Sequence, residues 1–310
     1  MTHDGGAMGP TLSIVVLSWN TKGLLRACLN SLKAIRDQGE LDFELIVVDN
    51  DSADGSADMV AARFPWLTLI RNDKNDGYAI GNNIGASHAT GRHLLLLNSD
   101  TAVGPGVLTF LVDFLEQHPE HGACAPRLVC EDGTIQLSCK TFPDLWTAFY
   151  FDTWFDELFP KNRTIPKYFM ADFDHTTSRD VDQPPGAAFL IRRDLWEQMG
   201  GFDPELWLFF NDVDLCRRLH RAGWKVAYIA EVAILHHEGK STSQFPGFGG
   251  IWHKNRHAYY RKHYGWRGSV LAKVMTGVRG WQESRRLARE QAPPEAKREM
   301  WRAVREVWSA

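Results

Sequence analysis

The feature that most constrains the fold is a repeated order of short apolar runs, each followed by a stretch with helical spacing. The runs Leu12–Leu17, Glu44–Asp49, Thr68–Arg71 and Leu94–Leu97 are too short for globular helices and are typical of buried strands. Helical patterns follow them from about Lys22, Ser56, Gly77 and Pro105. This alternation predicts an α/β fold with a doubly wound, mostly parallel sheet flanked by helices.

Four polar clusters stand directly after these strands. They are Ser18–Asn20, Asp49–Ser56, Asn75–Asn83 and Asn98–Asp100. The carboxyl ends of parallel strands open on one edge of a sheet, where ligands bind. Each cluster alone can be turn or cap chemistry, but their coincidence favours a nucleotide site.

Two of these clusters suggest specific contacts. Asn98 and Asp100 stand where a hard divalent cation and a phosphate can be held, although a plain turn into a helix is an equal alternative from this segment alone. Gly77 permits close approach of a ligand, and the helix that starts there favours an anion.

The second half of the chain has a different texture. We expect a hairpin over 127–140, a dense aromatic segment over 142–160 and a long loop over 161–185. The aromatic segment can border an acceptor site, but core packing is favoured. A strand at Gly186–Ile191 and a helix from Arg193 follow. The remaining predicted elements are a helix over Asp212–Ala222 and strands at Val226–Ile229 and Val232–His236.

Two further polar clusters lie in this half. Asp212 and Asp214 stand near a helix start, where an Asp is commonly an N-cap. The run His236 to Thr242 follows a strand and combines imidazole, Gly, Lys and hydroxyl groups. His236 can complete a metal shell, and Lys240 can meet a diphosphate.

Charge divides the chain in two. Up to residue 239 there are 20 Lys or Arg against 33 Asp or Glu, and from Lys240 onward there are 15 against 5. The basic part carries Trp and Tyr among its cations, which suits an anionic membrane surface, with ordinary surface helices packed on the core as the alternative. A nucleic-acid partner for this basic part is the weaker alternative.

Composition also bounds the location of the protein. The five cysteines form no Cys-x-x-Cys pair, which favours a reducing compartment. We find no signal peptide and no apolar stretch long enough to span a membrane, so a cytoplasmic, soluble or peripheral protein is predicted. The expected division is a disordered 1–10, a main domain over 11–265 that splits at 126/127, and a basic helical tail over 266–310.

Six segments resemble glycosyltransferase family 2 in order and spacing, most closely its rhamnosyltransferase-type members. They are Leu12–Asn20, Val48–Ser56, Asn75–Asn82, Asn98–Asp100, Gly200–Asp203 and Asn211–Gly223. The resemblance covers roughly residues 11–265. It implies a GT-A fold, a nucleotide-sugar donor, Mg²⁺ or Mn²⁺, and inversion at the anomeric carbon.

The resemblance also implies roles for individual residues. Asp212 matches the catalytic base, and Asp100 and His236 match metal-binding positions. Residues implied for nucleotide-sugar binding are Ser18, Asn20, Asp49, Asp51, Gly77, Asn82, Ser99 and Lys240. Two positions depart from the family pattern: Asn98 replaces the first Asp of Asp-x-Asp, and Asn211 replaces the Glu before the base. With one carboxylate in place of two, we expect weak metal binding without nucleotide.

The favoured function is therefore transfer of L-rhamnose from dTDP-rhamnose to a saccharide, most plausibly one linked to polyprenyl diphosphate, in cell-wall or surface polysaccharide synthesis. One alternative is another donor, such as a UDP-hexose or UDP-galactofuranose, on the same scaffold. A second is a nucleotide-sugar-binding protein weakened by Asn98 and Asn211. A dinucleotide-dependent oxidoreductase lacks support, because no Gly-x-Gly-x-x-Gly follows the first strand. The oligomeric state stays open, a homo-oligomer included.

Overall fold

The computed structural model describes residues 9–237, 248–290 and 294–309. Residues 1–8 of the predicted disordered segment and Lys240 lie outside the described residues. At the start of the described chain, the carbonyl of Pro10 already accepts a hydrogen bond from the Arg92 amide.

The first half of the chain follows the predicted strand-helix order closely. Its elements are β1 (Leu12–Ser18), α1 (Lys22–Gln38), β2 (Phe43–Asp49), α2 (Ser56–Arg63), β3 (Thr68–Arg71), α3 (Gly77–Ser87), β4 (His93–Asn98), β5 (Thr101–Val103), α4 (Val107–Gln117) and β6 (His121–Val129). The short β5 and the strand β6 were not predicted as strands.

The second half carries shorter elements before its long C-terminal helices. They are α5 (Leu145–Tyr150), α6 (Phe155–Leu158), α7 (Thr164–Tyr168), β7 (Arg179–Asp180), β8 (Ala188–Arg192), α8 (Arg193–Met199), α9 (Asn211–Arg221), β9 (Lys225–His236), α10 (Phe248–Arg289) and α11 (Pro294–Ser309). In the described residues, the predicted 127–140 hairpin is reduced to a turn closed by one isolated bridge between Val129 and Ile135.

One nine-stranded sheet runs through the main domain in the order β3-β2-β1-β4-β8-β6-β9-β5, with β7 paired to β9. Strands β3, β2, β1 and β4 are parallel, as predicted. Strand β8 is antiparallel to both β4 and β6, so the sheet is mixed in its second half. The parallel part sets the carboxyl ends of β1, β2 and β4 side by side, which fixes where the polar clusters meet.

The core is built by alternation along the strands. On β1, Ile14 and Val16 face a cluster that includes α1 and α4, whereas Val15 faces a second cluster that includes α3, α8 and α9. Strands covered on both faces read as continuous apolar runs, which is why they were visible in the sequence.

Strand β9 replaces the two short strands predicted over 226–229 and 232–236. Its pairing with β6 shifts register between Pro126 and Arg127, whose partners are Ile229 and Ala233. Pro126 has no amide hydrogen for the ladder, so an irregularity is expected there. The shift lies between the two predicted strands and explains why the sequence pattern breaks at that place.

The C-terminal helices pack against the main domain. Helix α10 is interrupted at Gly265, which has φ +60° and ψ −147°. Before this break, Tyr259 and Tyr260 are buried with Leu206 and Val213 around α9. After it, a Cβ on Gly268 would lie 2.3 Å from the Tyr260 carbonyl oxygen, so the close return of the chain requires glycine there. None of the described helices is long and apolar enough to cross a membrane.

Candidate active site

A cleft of about 630 Å³ opens at the carboxyl edge of the parallel strands. Its walls come from the loops after β1, β2 and β4, from the 136–140 and 183–187 segments, and from the start of α9. Five of the predicted site residues line it: Gly77, Ser99, Asp100, Asp212 and His236. They come from four separate places in the sequence, since Ser99 and Asp100 are adjacent, so the fold itself assembles this site.

Asp100 and His236 are brought together by a short antiparallel ladder. Thr101 of β5 pairs with His236 of β9, and the His237 amide donates to the Asp100 carbonyl oxygen at 2.9 Å. The His236 Nε2 atom consequently lies 3.5 Å from Asp100 Oδ1. Three residues of β5 are enough to place these two side chains next to each other.

The Asp100 carboxylate is unusual because it is buried without compensation. Asp100 is 1% exposed, and neither of its carboxylate oxygens has a hydrogen-bond partner in the described part of the chain. A buried charge of this kind is costly unless a cation or donor meets it. Oxygen and imidazole ligands suit Mg²⁺ or Mn²⁺, so the residues present fit a divalent metal.

Protein ligands alone make an incomplete metal shell here. Among residues 9–237, 248–290 and 294–309, no group of three or more His, Cys, Asp or Glu side chains is arranged to hold a metal. Asn98 also lines the cleft and adds an amide where the family pattern has a carboxylate. Water and a bound diphosphate could supply further ligands.

Asp212 stands at the first turn of α9 and faces the cleft, half-buried. Its Oδ2 accepts a hydrogen bond from Gln183 Nε2 at 3.0 Å, and its Oδ1 accepts from the Val213 amide at 2.8 Å. A Cβ on Gly186 would lie 2.8 Å from Oδ2, so glycine at 186 leaves the room that this carboxylate occupies. These contacts fix the orientation of the Asp212 carboxylate at the wall of the cleft.

Asn211, the departure from the family pattern, has a structural use. Its side-chain amide donates to the Leu208 carbonyl at 3.1 Å and more weakly to that of Leu206, and its oxygen accepts from the Asp212 amide. A carboxylate could not make the two donations. Asn211 therefore ties the 206–208 loop to the start of α9.

Asp214, two residues after Asp212, is fully buried among cationic and imidazole donors. It accepts hydrogen bonds from Arg218 Nε at 2.8 Å, Lys262 Nζ and His263 Nε2 at 2.7 Å. Burial alone would raise the pKa of Asp214, but the His263 hydrogen bond and the charges of Arg218 and Lys262 lower it to about 2. This network joins α9 to α10 and lies behind the cleft.

Gly77 serves packing more than anion binding. It has φ +82°, and an added Cβ would lie 2.4 Å from the Trp207 ring. The amides of Tyr78 and Ala79, at the start of α3, donate to the Trp207 carbonyl. The expectation of an anion at this helix start is therefore wrong for these two amides, because a loop carbonyl already occupies them.

Ser18 and Ser99 belong to one buried chain of hydroxyl groups. Thr21 Oγ1 lies 3.0 Å from Ser18 Oγ and 2.9 Å from Ser99 Oγ. Ser18 does not line the cleft, whereas Thr21 and Ser99 do. These linked hydroxyl groups connect the loop after β1 to the loop after β4.

Four other predicted binding residues stand on segments that border the cleft. The Asn20 oxygen accepts from the Ala53 amide, and the Asn82 amide donates to the Tyr78 carbonyl. Asp49 Oδ2 accepts from the Ser52 amide, while Asp49 Oδ1 is buried without a partner in the described residues. Asp51 is exposed with φ +61°. None of these four lines the described cleft.

Some cleft residues were not singled out from the sequence. They are Asn50, Asn75, Tyr78, Gln136 and Gln183. Asn50 and Asn75 lie inside the polar clusters that were noticed, but Gln136 and Gln183 stand in segments predicted only as hairpin and loop. Tyr78 donates to the Gly186 carbonyl at 3.2 Å, and burial raises the pKa of its hydroxyl. Only the fold shows that these side chains converge.

Comparisons with known proteins agree with this geometry. The family description Glycosyl transferase family 2 matches residues 13–199. The chain is 26% identical over 283 residues to an N-acetylglucosaminyl-diphospho-decaprenol L-rhamnosyltransferase of Mycobacterium tuberculosis, covering 87% of this chain and 91% of that protein. It is 30% identical over 236 residues to the O-antigen biosynthesis protein RfbC of Myxococcus xanthus, covering 75% of this chain and 18% of that protein.

Solved structures share the fold at low identity. The mannosyltransferase PcManGT from Pyrobaculum calidifontis, in complex with GDP-Man and Mn²⁺, matches with a TM-score of 0.54 and 16% identity, covering 98% of this chain and 76% of that one. GalNAc-T7 with UDP, GalNAc and Mn²⁺ matches with a TM-score of 0.56 and 15% identity, covering 84% of this chain and about half, 52%, of that one. Together with the family match over more than half of the sequence, this shows that the chain has a GT-A fold and belongs to glycosyltransferase family 2.

Proposed function

We propose that this protein is an inverting, metal-dependent hexosyltransferase that moves L-rhamnose from dTDP-rhamnose to a saccharide on a lipid carrier. The observation that carries the proposal is the meeting of an uncompensated carboxylate (Asp100), an imidazole (His236) and a second carboxylate (Asp212) in one cleft. The Mycobacterium tuberculosis relative, named as a rhamnosyltransferase for a decaprenol-linked sugar, supports the choice of donor and acceptor.

Asp212 is the proposed general base. An acceptor hydroxyl gives its proton to a carboxylate oxygen of Asp212 while its own oxygen forms a bond to the anomeric carbon. The bond from that carbon to the diphosphate oxygen breaks, and its electron pair leaves with the nucleoside diphosphate. A single displacement from a β-linked L-rhamnosyl donor yields an α-linked product.

Asp100 and His236 are the proposed protein ligands of Mg²⁺ or Mn²⁺. Such an ion would offset the negative charge that develops on the departing diphosphate. Lys240, which lies outside the described residues, is proposed to add a further positive charge there. Ser99 is proposed to contact the diphosphate, while Asp49 and Asp51 are assigned to the base and ribose.

The remaining proposed binding residues act by shaping the donor end of the cleft. Asn20 fixes the loop after β2 through Ala53, and Ser18 is linked through Thr21 to Ser99. Gly77 lets the start of α3 pack on Trp207 in the loop that leads to Asp212, and Asn82 bonds within α3 to the Tyr78 carbonyl. These contacts support a role in donor binding that is indirect.

The deciding experiment is a panel of nucleotide sugars in a thermal-shift assay with and without Mn²⁺, followed by transfer assays with any donor that binds. A donor that binds the folded protein raises its melting temperature by mass action. We expect the largest Mn²⁺-dependent rise with dTDP-rhamnose. A larger rise with UDP-glucose or UDP-galactofuranose would favour the alternative donors, and binding without any transfer would favour a weakened binding protein.

The acceptor chemistry suggests where the protein works. A saccharide carried on polyprenyl diphosphate stays in a membrane, so its glycosyltransferase must act at that surface. We propose peripheral attachment at the inner face of the cell membrane through residues 266–310. The excess of 15 basic over 5 acidic residues from Lys240 onward supports an anionic partner.

A further inference from the structure

An exposed apolar surface runs along the second half of α10. Trp266, Val270 and Val274 follow each other at intervals of four residues, and Trp281 lies on the same side of the helix. Trp266 is 72% exposed, Val270 53% and Trp281 50%. Single exposed apolar side chains are common on protein surfaces, but a contiguous group of large ones usually marks an interaction site.

Helix α11 extends this surface. A Cβ added to Gly277 would lie 3.8 Å from the Trp308 ring, which places that ring beside α10 between Val274 and Trp281. Lys273 Nζ also donates to the Trp308 carbonyl oxygen at 3.2 Å. We call the set of Trp266, Val270, Val274, Trp281 and Trp308 the tryptophan face.

Cations border the tryptophan face. The Arg267 guanidinium lies 5.6 Å from the centre of the Trp266 ring, and that of Arg285 lies 4.8 Å from the Trp281 ring. The two glutamates of this helical segment, Glu283 and Glu290, are instead paired with Arg286. The face therefore combines indole rings with two arginines, Arg267 and Arg285, that have no acidic partner among the described residues.

We propose that the tryptophan face docks on an anionic phospholipid bilayer. Indole rings favour the boundary between headgroups and acyl chains, and arginine favours phosphate. A second copy of the chain would bring equally charged edges together, which makes a dimer through this face less favourable. The inference names the surface that peripheral attachment under the proposed function would use.

Vesicle sedimentation of the full chain tests the proposal. Phosphatidylcholine vesicles are compared with vesicles that also contain phosphatidylglycerol, with no donor or acceptor present. We expect binding to the anionic vesicles that falls about tenfold or more in the double variant Trp266→Ala, Trp281→Ala. The control is Phe110→Ala, which removes an exposed aromatic side chain from α4.

Each result decides for or against the face. Loss of vesicle binding in the double variant but not in Phe110→Ala supports it. Equal binding by wild type and double variant, or no binding by wild type, overturns it. A dimer in size-exclusion chromatography that the double variant alone dissociates would assign the face to a second copy. Because no sugar is transferred in this assay, failure leaves the proposed reaction untouched.

A second, independent observation concerns Gln136, which touches His236 at two points. Gln136 Nε2 donates to the His236 carbonyl oxygen at 2.9 Å, and Gln136 Oε1 lies 2.8 Å from His236 Nδ1. A carbonyl oxygen can only accept, so the amide nitrogen must face it. The amide oxygen is then left for Nδ1, which must carry the hydrogen.

The geometry points to Gln136 as the residue that sets the tautomer of His236. With the hydrogen on Nδ1, the neutral ring has its lone pair on Nε2, the atom 3.5 Å from the unpartnered Asp100 carboxylate. Two facing acceptors repel each other unless a cation lies between them. Gln136 is therefore a positioning residue for the proposed metal site. Hydrogen-bond partners of metal-binding histidines generally fix the tautomer and orientation of the ring in this way.

The test reads the tautomer directly in the metal-free protein. Long-range ¹H–¹⁵N spectra of histidine-labelled protein at mildly alkaline pH report which ring nitrogen carries hydrogen, and His236→Gln identifies the signal. We expect Nδ1–H in wild type and loss of that preference in Gln136→Met. We also expect Mn²⁺ affinity, measured with dTDP present, to fall about 10 to 100-fold.

The matched control is Gln117→Met on the exposed end of α4, which should change neither quantity. An Nε2–H tautomer in wild type overturns the inference without any variant. The inference is also overturned if the His236 tautomer and the Mn²⁺ affinity are both unchanged in Gln136→Met. The tautomer signal requires no donor, so a wrong donor assignment cannot mimic either outcome.

Discussion

Two aspartates in the first turn of α9, Asp212 and Asp214, have different surroundings and therefore different roles. Asp212 is half-buried, faces the cleft and accepts from the neutral amide of Gln183. Asp214 is fully buried and surrounded by Arg218, Lys262 and His263. Each oxygen of Asp212 accepts one hydrogen bond from a neutral amide and the carboxylate borders the cleft, where it can take a proton from a ligand, whereas Asp214 is held by charged and imidazole donors away from the cleft.

Replacement of Asp212 tests its assignment as the base. Asp212→Asn keeps an oxygen for the Gln183 hydrogen bond but cannot take a proton. We expect the transfer rate to fall by about 10² to 10⁴-fold while donor binding and melting temperature stay near wild type. Steady-state transfer assays and donor titrations measure both. Unchanged transfer would show that another group is the base.

The single carboxylate at the metal position leads to a second prediction. With only Asp100 and His236 as ligands, Mn²⁺ should bind feebly to the free protein and more tightly once a nucleoside diphosphate adds its oxygens. Asp100→Asn should abolish even the nucleotide-assisted binding. Titration calorimetry with Mn²⁺, with and without dTDP, measures this, and tight Mn²⁺ binding without nucleotide would contradict it.

At the scale of elements, the sequence predicted strands and helices best where the burial of a single element determines its own pattern of apolar residues. The runs that became β1, β2 and β4 are apolar throughout because both faces are covered, and α1 buries Leu25, Cys28, Leu29, Leu32 and Ile35 at helical spacing. Strand β5 has only three residues, and no local pattern distinguishes it from a turn. Yet β5 is the element that places His236 beside Asp100.

The polar side chains of the cleft were likewise predictable only where the local sequence carries a signal. Asp100, Asp212 and His236 were predictable because each follows a recognisable strand or begins a helix. Asn20 and Asp49 look the same in sequence but turn into their own loops, since nearby backbone amides compete for their oxygens. Gln136 and Gln183 enter the cleft only through long-range folding, which leaves no local signal.

The contact between α3 and the loop before α9 can be tested with a pair of glycines. Gly77 and Gly133 both have φ +82°, but an added Cβ meets the Trp207 ring at 2.4 Å in the first case and no atom within 4 Å in the second. Gly133→Ala should cost about 1 kcal/mol of unfolding free energy from the backbone alone. Gly77→Ala should cost about 1–3 kcal/mol more from overpacking.

Urea unfolding of the two variants compares these costs directly. The difference between them isolates the Trp207 contact, because the two glycines have the same positive φ. Equal losses of stability would mean that Trp207 moves aside freely and that Gly77 has no packing role.

The buried network of Asp214 joins α9 to α10 and makes a pH-dependent contribution. The pKa of Asp214 is lowered in the folded protein from its ordinary value of 3.8 to about 2. Its stabilisation is therefore complete above the unfolded pKa and is lost as pH falls from about 4 through 2. Asp214→Asn should remove this part of the acid sensitivity and, at neutral pH, cost about 3–5 kcal/mol, because Arg218 and Lys262 lose the buried carboxylate charge that they face.

Unfolding free energies of wild type and Asp214→Asn, measured from neutral pH down to the acid limit, check this prediction. The difference between the two proteins should shrink as the pH falls, because wild type also loses the charged pair. A constant difference across that range would show that Asp214 acts by packing rather than by charge.

At the scale of the whole molecule, the acidic main part and the basic C-terminal part are one packed unit. Ala272 and Met275, beyond the Gly265 break, are buried, and Ala272 shares a cluster with Tyr259 and Tyr260. Removal of the predicted tail, 266–310, would expose this apolar surface as well as delete the tryptophan face. Such a truncation therefore confounds loss of membrane contact with loss of folding.

We accordingly expect the protein that ends at Gly265 to melt at a markedly lower temperature and to bind an apolar dye such as ANS, whereas Trp266→Ala, Trp281→Ala should keep the wild-type melting temperature. The physical reason is that the truncation uncovers Tyr259 and Tyr260, whose rings are buried, while the double variant trims side chains that already face water. Scanning calorimetry on the three proteins measures this. A truncated protein as stable as wild type would mean that 266–310 folds as an independent appendage, in agreement with the domain boundary expected from the sequence.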